Sequence, residues 1–339
     1  MKHFLLSFAL LIGGASFAQD SDNKVLSSTE EQAVTEQLTA QTEAAKDTTW
    51  KTGGTFGLNF NQTYLDNWAA GGQSSISGTA LASFNANYAK GVVTWDNTLD
   101  LAYGLLRQGD SGDALKTDDK IDFSSKYGRK ASDVWYYSGL LNFRTQFAPG
   151  YAITDGVVTD VVISDFLAPG YVLAAAGMDY KPNDKFTAFI SPITYKMTIV
   201  TNQDLADAGA FGVEAAEFDD LGEKIADGEN LRSEIGGYVK MQYKTELMEN
   251  IGLQTKIDLF SNYQNNPQNI DVNWETLISM KINKYISATI STQLLYDDDI
   301  DVIRGEKTIT TDEGDVTVSD VGPAVQFKEV LAIGFSYKF

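Results

Sequence analysis

The chain is expected to fold as an all-β protein, a transmembrane antiparallel β-barrel of about twelve strands. Three observations carry that expectation. The C-terminal stretch alternates: Phe327, Glu329, Leu331, Ile333, Phe335, Tyr337 and Phe339 share one face, and Lys328, Val330, Ala332, Gly334, Ser336 and Lys338 share the other. A period of two with one continuous apolar face marks a strand lying between two different solvents. Similar stretches recur from Trp50 onward, most of them near the roughly nine to eleven residues that a tilted strand needs to cross a bilayer. Their connections alternate strictly between short and long.

In order, the expected strands are Gly54–Tyr64, Ser75–Tyr88, Val92–Leu105, Lys120–Tyr127, Val134–Phe147 and Tyr171–Lys181. Then come Phe186–Val200, Ser233–Leu247, Ile251–Tyr263, Ile270–Lys281, Ile286–Tyr296 and Phe327–Phe339. Short links such as Ala89-Lys90-Gly91 and Met248-Glu249-Asn250 alternate with long ones such as Ala148 to Gly170, Thr201 to Arg232 and Asp297 to Gln326. Barrels with tight periplasmic turns and larger outer loops have this pattern, which requires an even strand number. A soluble β-sandwich has no reason to sort its loops this way.

The polarity of the alternation points to lipid outside. In the third strand Val93, Trp95, Leu99, Leu101, Tyr103 and Leu105 oppose Thr94, Asp96, Thr98, Asp100, Ala102 and Gly104. An apolar exterior around a polar interior inverts the soluble-barrel arrangement. Aromatics gather at strand ends as two interfacial girdles: Trp50, Tyr88, Tyr127, Trp135, Phe186, Tyr285 and Phe339 at one, Tyr64, Trp68, Tyr103, Phe147, Tyr171, Trp274, Tyr296 and Phe327 at the other.

The N-terminus reads as an export signal over residues 1–18. Lys2 and His3 precede the apolar run Phe4 to Ile12, and Ser16-Phe17-Ala18 supplies a small-x-small cleavage site. That run is too short to span a bilayer as a helix. Residues 19–49 form an acidic, polar periplasmic tail in which Ser28 and Glu31 have capping-box spacing, leaving 50–339 for the barrel. The expected location is therefore the cell outer membrane.

A formal net charge of -20 argues against nucleic acid and anionic lipid as partners. The chain has no cysteine, and its one histidine is His3 in the signal. A Ser-His-Asp triad, a histidine base and an ordinary zinc site are thereby excluded. No enzyme activity and no cofactor are expected; a paired-carboxylate mechanism stays open only through Asp96 and Asp100, which share the lumen face.

By parity Asp96, Asp100, Asp122, Lys126, Arg144, Lys240, Lys244, Lys256, Asp258 and Glu275 point inward. Mixed charge of this kind either tunes a polar pore or fills a closed barrel with salt bridges. Twelve strands lie between the filled and the open extremes of barrel size, so both readings stay open. Among the acidic outer loops, Asp297, Asp299 and Asp301 are candidate Ca²⁺ ligands, although neither acidic loop has EF-hand spacing and a solvated loop is the simpler account.

Several motifs resemble a Bacteroidota family of outer-membrane proteins described only as a domain of unknown function (number 3078). They are Asn67-Trp68-Ala69-Ala70-Gly71-Gly72, Trp95-Asp96-Asn97-Thr98-Leu99-Asp100 with Ala102-Tyr103-Gly104, Phe143-Arg144-Thr145-Gln146-Phe147, Pro169-Gly170-Tyr171, and Ser191-Pro192 with Thr194 and Lys196. The resemblance implies a barrel in the outer membrane and no established activity. The terminal Phe335-x-Tyr337-x-Phe339 is similar to the signal read by barrel-assembly machinery. Expected partners are outer-membrane lipid, that machinery and small polar solutes. Two functions remain in view: porin-like passive passage, or a non-conducting barrel with an envelope-structural or surface-binding role through its acidic loops.

Overall fold

A computed structural model describes residues 49–65, 73–109, 114–154, 157–283, 285–311 and 314–338. The export signal, residues 19–48, the motif Asn67 to Gly72, and Phe339 lie outside the described residues.

In chain order the strands begin with β1 (Trp50–Thr63), β2 (Ser75–Lys90), β3 (Val93–Gln108), β4 (Ala114–Lys130), β5 (Trp135–Thr145), β6 (Gly150–Thr154), β7 (Val157–Ser164), β8 (Gly170–Asn183) and β9 (Phe186–Ile199). They continue with β10 (Glu217–Phe218), β11 (Lys224–Ala226), β12 (Leu231–Met248), β13 (Ile251–Asn262), β14 (Ile270–Lys281), β15 (Ile286–Tyr296), β16 (Asp301–Thr311), β17 (Gly314–Pro323) and β18 (Gln326–Lys338). Twelve of them close into an antiparallel barrel in the ring order β1-β18-β15-β14-β13-β12-β9-β8-β5-β4-β3-β2. The pairs β6–β7, β10–β11 and β16–β17 are separate hairpins inside the long loops.

The barrel strands fall where the alternation put them. One boundary moves well: β4 begins at Ala114 rather than Lys120, because its pairing with β3 continues up to Arg107↔Ala114. The three loop hairpins carry no clear two-residue period and are not visible in the sequence.

Exposure sorts by parity. Leu58, Leu141, Ile333 and Phe335 are exposed on the outside, whereas Ser83, Asp179 and Glu234 are buried inside. An exterior of Leu, Ile and Phe around an interior of Ser, Asp and Glu suits a hydrocarbon solvent, since apolar area gains nothing from facing water. At the short-turn end Trp50 packs against Tyr88 and Trp95 with ring centroids 5.4 and 5.7 Å apart. At the long-loop end Tyr103 meets Phe147 at 6.4 Å.

A bulge interrupts β9 at Pro192, which has no N–H to give the ladder. Ile190 and Ile193 both face outward, so the period slips by one residue between the inward Ser191 and Thr194. Ser191 Oγ caps the kink, its single proton shared between the Ala176 and Ile193 carbonyls at 2.9 and 2.8 Å. Gly177 on β8 makes room, because a Cβ there would lie 2.8 Å from Ser191 Cα. The slip turns Lys196 into the lumen.

The β1–β18 seam differs from the others. Its register runs from Thr55↔Lys338 to Asn59↔Gly334 and stops, although β1 continues to Thr63 and β18 starts at Gln326. Gly334 permits that last rung: a Cβ there would come 2.7 Å from the Leu58 carbonyl oxygen.

Leu141 sits mid-strand on the outward face of β5. Leu141→Arg is expected to destabilise the barrel in lipid vesicles by about 2–4 kcal/mol. The inward Ser124→Ala should change it little. Urea titrations followed by heat-modifiable gel mobility measure both; equal effects would show that the outer face does not meet hydrocarbon.

Candidate functional site

The lumen charges form three tiers along the barrel axis. Burying a charge is costly unless it is paired, so each tier is a network rather than a set of single groups. Nearest the short turns, Asp179 accepts Lys126 at 2.9 Å, Lys181 at 3.4 Å and the Ser138 hydroxyl at 3.3 Å. Asp96 stands directly across the β3–β4 ladder from Lys126.

In the middle tier Arg144 Nε and Nη2 both reach Asp122 Oδ2, at 3.1 and 3.0 Å, while Asn142 Nδ2 holds the other oxygen at 2.6 Å. Lys256 lies 3.7 Å from Glu275 and Lys240 lies 3.5 Å from Asp258, which also accepts the Tyr238 hydroxyl. Ser83 donates to Asp100. Four acids (Asp100, Asp122, Asp258, Glu275) thus face four bases (Lys120, Arg144, Lys240, Lys256), a formal sum of zero.

The tier at the long-loop end is acidic. Lys196 Nζ lies 2.8 Å from Asp271, 3.4 Å from Glu234 and 3.5 Å from Asp297, and sits 4.9 Å from the Phe260 ring centroid. Arg232 bridges Glu234 at 3.2 Å, pairs with Asp299 and donates to the Gly212 carbonyl at 2.9 Å. Asn269 donates to Asp298. Two bases there meet five acids.

Two cavities share the lumen. One of about 720 Å³ lies mainly against β1, β2, β13, β14, β15 and β18 and is closed on the far side by Leu106, Thr117, Asp118, Lys120 and Arg144 of β3 to β5. The other, of about 380 Å³, lies against an apolar wall of Leu140, Leu173, Phe189, Tyr238 and Phe260. Arg144, Lys256 and Glu275 border both and so divide them. Each cavity has a buried amide with no protein partner among the described residues: Gln254 Oε1 and Nε2 in the larger, Gln242 Nε2 in the smaller. Such groups require water, and both cavities have room for it.

Of the ten lumen charges read from parity, Asp96, Asp100, Asp122, Lys126, Arg144, Lys240, Lys256, Asp258 and Glu275 all line the smaller cavity. Lys244 keeps their parity toward the short-turn end of β12 but borders neither cavity. Asp96 and Asp100 are four residues apart on one extended strand, about 13 Å. Two-carboxylate chemistry needs roughly 5–9.5 Å, so they do not form such a pair.

The candidate calcium trio is not brought together. Asp299 turns to Arg232, and Asp301 opens the β16–β17 hairpin opposite Pro323. The carboxylates that do converge are Asp271, Asp297 and Asp298, and the Lys196 ammonium already supplies a cation to the first two. Phe335 and Tyr337 are exposed on the outer face of β18. Tyr171 and Tyr296, expected in the outer girdle, instead line the smaller cavity.

Parity missed Lys196 because strict alternation through β9 would place it outside. Pro192 in mid-strand is the signal that the period slips. Asp179, Lys181, Glu234 and Asp271 belong to the same networks and follow parity once strand limits are known.

Above the acidic tier, the loop after β9 folds on a short helix, α1 (Gln203–Asp207), capped by Asn202. Asp207 accepts Lys224 Nζ at 2.7 Å, Gln203 Nε2 at 2.7 Å and the Gly228 N–H at 2.8 Å. These bonds hold its carboxyl down at about 2 and push the Lys224 ammonium up. A carboxyl held below its ordinary value stabilises the loop above that value, and the contribution is lost as pH falls through about 2. The clasp should therefore persist at about pH 4. Asp207→Ala should speed Gly228 amide exchange roughly tenfold at neutral pH. Unchanged exchange would mean that Asp207 does not hold the loop.

This geometry defines a β-barrel of the membrane type with a charged interior. A family profile described as "Protein of unknown function (DUF3078)" matches residues 60–151. No curated protein matches the chain. Among solved structures, the COG4313 outer membrane channel from Pseudomonas putida F1 is similar at 10% identity and a TM-score of 0.38, covering 87% of this chain and 97% of that one. The NanC porin is similar at 8% identity and TM-score 0.35, covering 85% of this chain and 100% of that one. The translocator domain of the autotransporter NalP from Neisseria meningitidis is similar at 9% identity and TM-score 0.34, covering 92% and 98%.

Proposed function

We propose that this chain is an outer-membrane barrel whose hydrated lumen gives small polar solutes passive, porin-like passage. The observation that carries the reading is the pair of cavities, each bordered by a buried amide with no protein partner among the described residues and with room for water beside it. A filled, non-conducting barrel would satisfy such groups with side chains. The export signal at residues 1–18 supplies the route, lipid covers the outer face, and the terminal aromatics of β18 serve assembly.

Solutes enter through the acidic tier, where five carboxylates outnumber two bases, so cations concentrate at the mouth. They then pass between the cavities at Arg144, Lys256 and Glu275, within a middle tier whose four acids and four bases sum to zero, so little net barrier is raised against either sign. Loop contacts across the mouth, Arg232 with Asp299 and Lys196 with Asp297, favour the second reading of a capped, non-conducting barrel.

Swelling of proteoliposomes in isotonic monosaccharide separates the two. Wild-type protein should swell its vesicles faster than lipid alone. The double variant Arg144→Ala with Asp122→Asn shortens the divider without orphaning a charge, and should raise the rate about twofold or more. No swelling from either folded protein would overturn the reading and favour the capped barrel.

A further inference from the structure

The opened half of the β1–β18 seam joins the lumen to the outer face of the barrel. Each strand is held fully on its far side: β1 pairs with β2 up to Thr63↔Ser75, and β18 pairs with β15 up to Leu295↔Gln326. The register between them stops on the long-loop side of Asn59↔Gly334, although both strands run on. β4 also runs past its last pair with β5, Ile121↔Thr145, but there β5 itself ends, so no second edge faces it.

The larger cavity passes through that break. Its lining includes Lys120, Arg144 and Glu275 from mid-lumen and, at the other end, Asn61, Leu331 and Ile333 from the two lips. Leu331 and Ile333 belong to the outward face, at 66% and 59% exposure. A cavity of about 720 Å³ falls within the roughly 300–1,000 Å³ of small-molecule sites. One end is charged and wet; the other opens on apolar surface.

On the β18 lip the usual polarity is mixed: the inward Val330 and Ala332 are apolar and the outward Glu329 stands opposite Thr292 of β15, while Leu331 and Ile333 keep the outward face apolar. Among the described residues no strand pairs these edges beyond Asn59↔Gly334. Backbone groups along an open edge cannot rest in hydrocarbon without a partner, which calls for an occupant carrying polar groups inward and apolar groups outward. Water meets only the first requirement.

We propose that the seam is a side portal and binding site for a single-chain amphiphile, a fatty acid or similar molecule. Its polar head sits in the larger cavity near Lys120, Arg144 and Glu275, and its chain leaves between Asn61 and Leu331 into the outer half of the bilayer. This ligand class and exit route are additional to polar-solute passage along the axis.

The chain has no cysteine, which makes a reversible staple clean to read. Extending the register by two residues places Asn61 opposite Ala332. The probe is nitroxide-labelled stearic acid added to the full-length protein in phosphatidylcholine vesicles, with spectra compared against protein-free vesicles. Wild-type protein should immobilise a spin fraction above that of boundary lipid. Ser291→Trp, which fills the larger cavity from β15, should reduce that fraction severalfold, whereas Leu173→Trp, which fills the other cavity, should not. In Asn61→Cys with Ala332→Cys, oxidation should remove the fraction and reduction should restore it.

Equal immobilisation in wild type and Ser291→Trp, or none in wild type, would overturn the proposal. Should the staple fail to form, the two tryptophan variants still decide the matter. Monosaccharide swelling on the same vesicles reports axial passage separately, so either property can be lost while the other stands.

Discussion

A backbone amide or carbonyl in hydrocarbon has no water to bond, and leaving it unpaired is costly. Closure of the strand ladder satisfies these groups all the way round a barrel, and most of this structure depends on that constraint. Once the ring closes from β1 back to β18, alternate side chains must face outward or inward. Lipid then selects Leu141, Ile333 and Phe335 for one face, and the interior receives what lipid rejects. The same constraint gives the incomplete β1–β18 register its interest, since an open edge there conflicts with an apolar surround.

Inside, electrostatics takes over from solvation. The middle tier balances four acids with four bases and fixes Arg144 on Asp122 through two nitrogens, a geometry that holds a side chain in place rather than merely near. This network divides the lumen without filling it. Space remains on both sides, and the orphaned amides of Gln242 and Gln254 mark that space as wet. The excess of carboxylates among these tiers lies at the long-loop end, which concentrates negative potential there.

Much of the barrel was legible in the sequence because period two is a direct consequence of closure. Strand number, loop sorting and the inward set from Asp96 to Glu275 all follow from counting alternate residues. What alternation could not reveal are the departures from it. The bulge at Pro192 reverses the facing of Lys196, and through it the composition of the acidic tier. Pairing partners were equally hidden: Asp179 lies 53 residues beyond Lys126 in sequence (179 minus 126) and meets it only because β5 separates their strands in the ring. The loop hairpins and the clasp at Asp207 rest on local turn chemistry and tertiary contacts, with no periodic signal to announce them.

Passage along the axis, as proposed, needs a water-filled lumen that is continuous from mouth to mouth. Single-channel recording of the wild-type chain in a planar bilayer tests it most directly, on protein first shown to be folded by heat-modifiable mobility. Discrete, reproducible conductance steps with a preference for cations are expected. Folded protein that inserts yet stays electrically silent would contradict it.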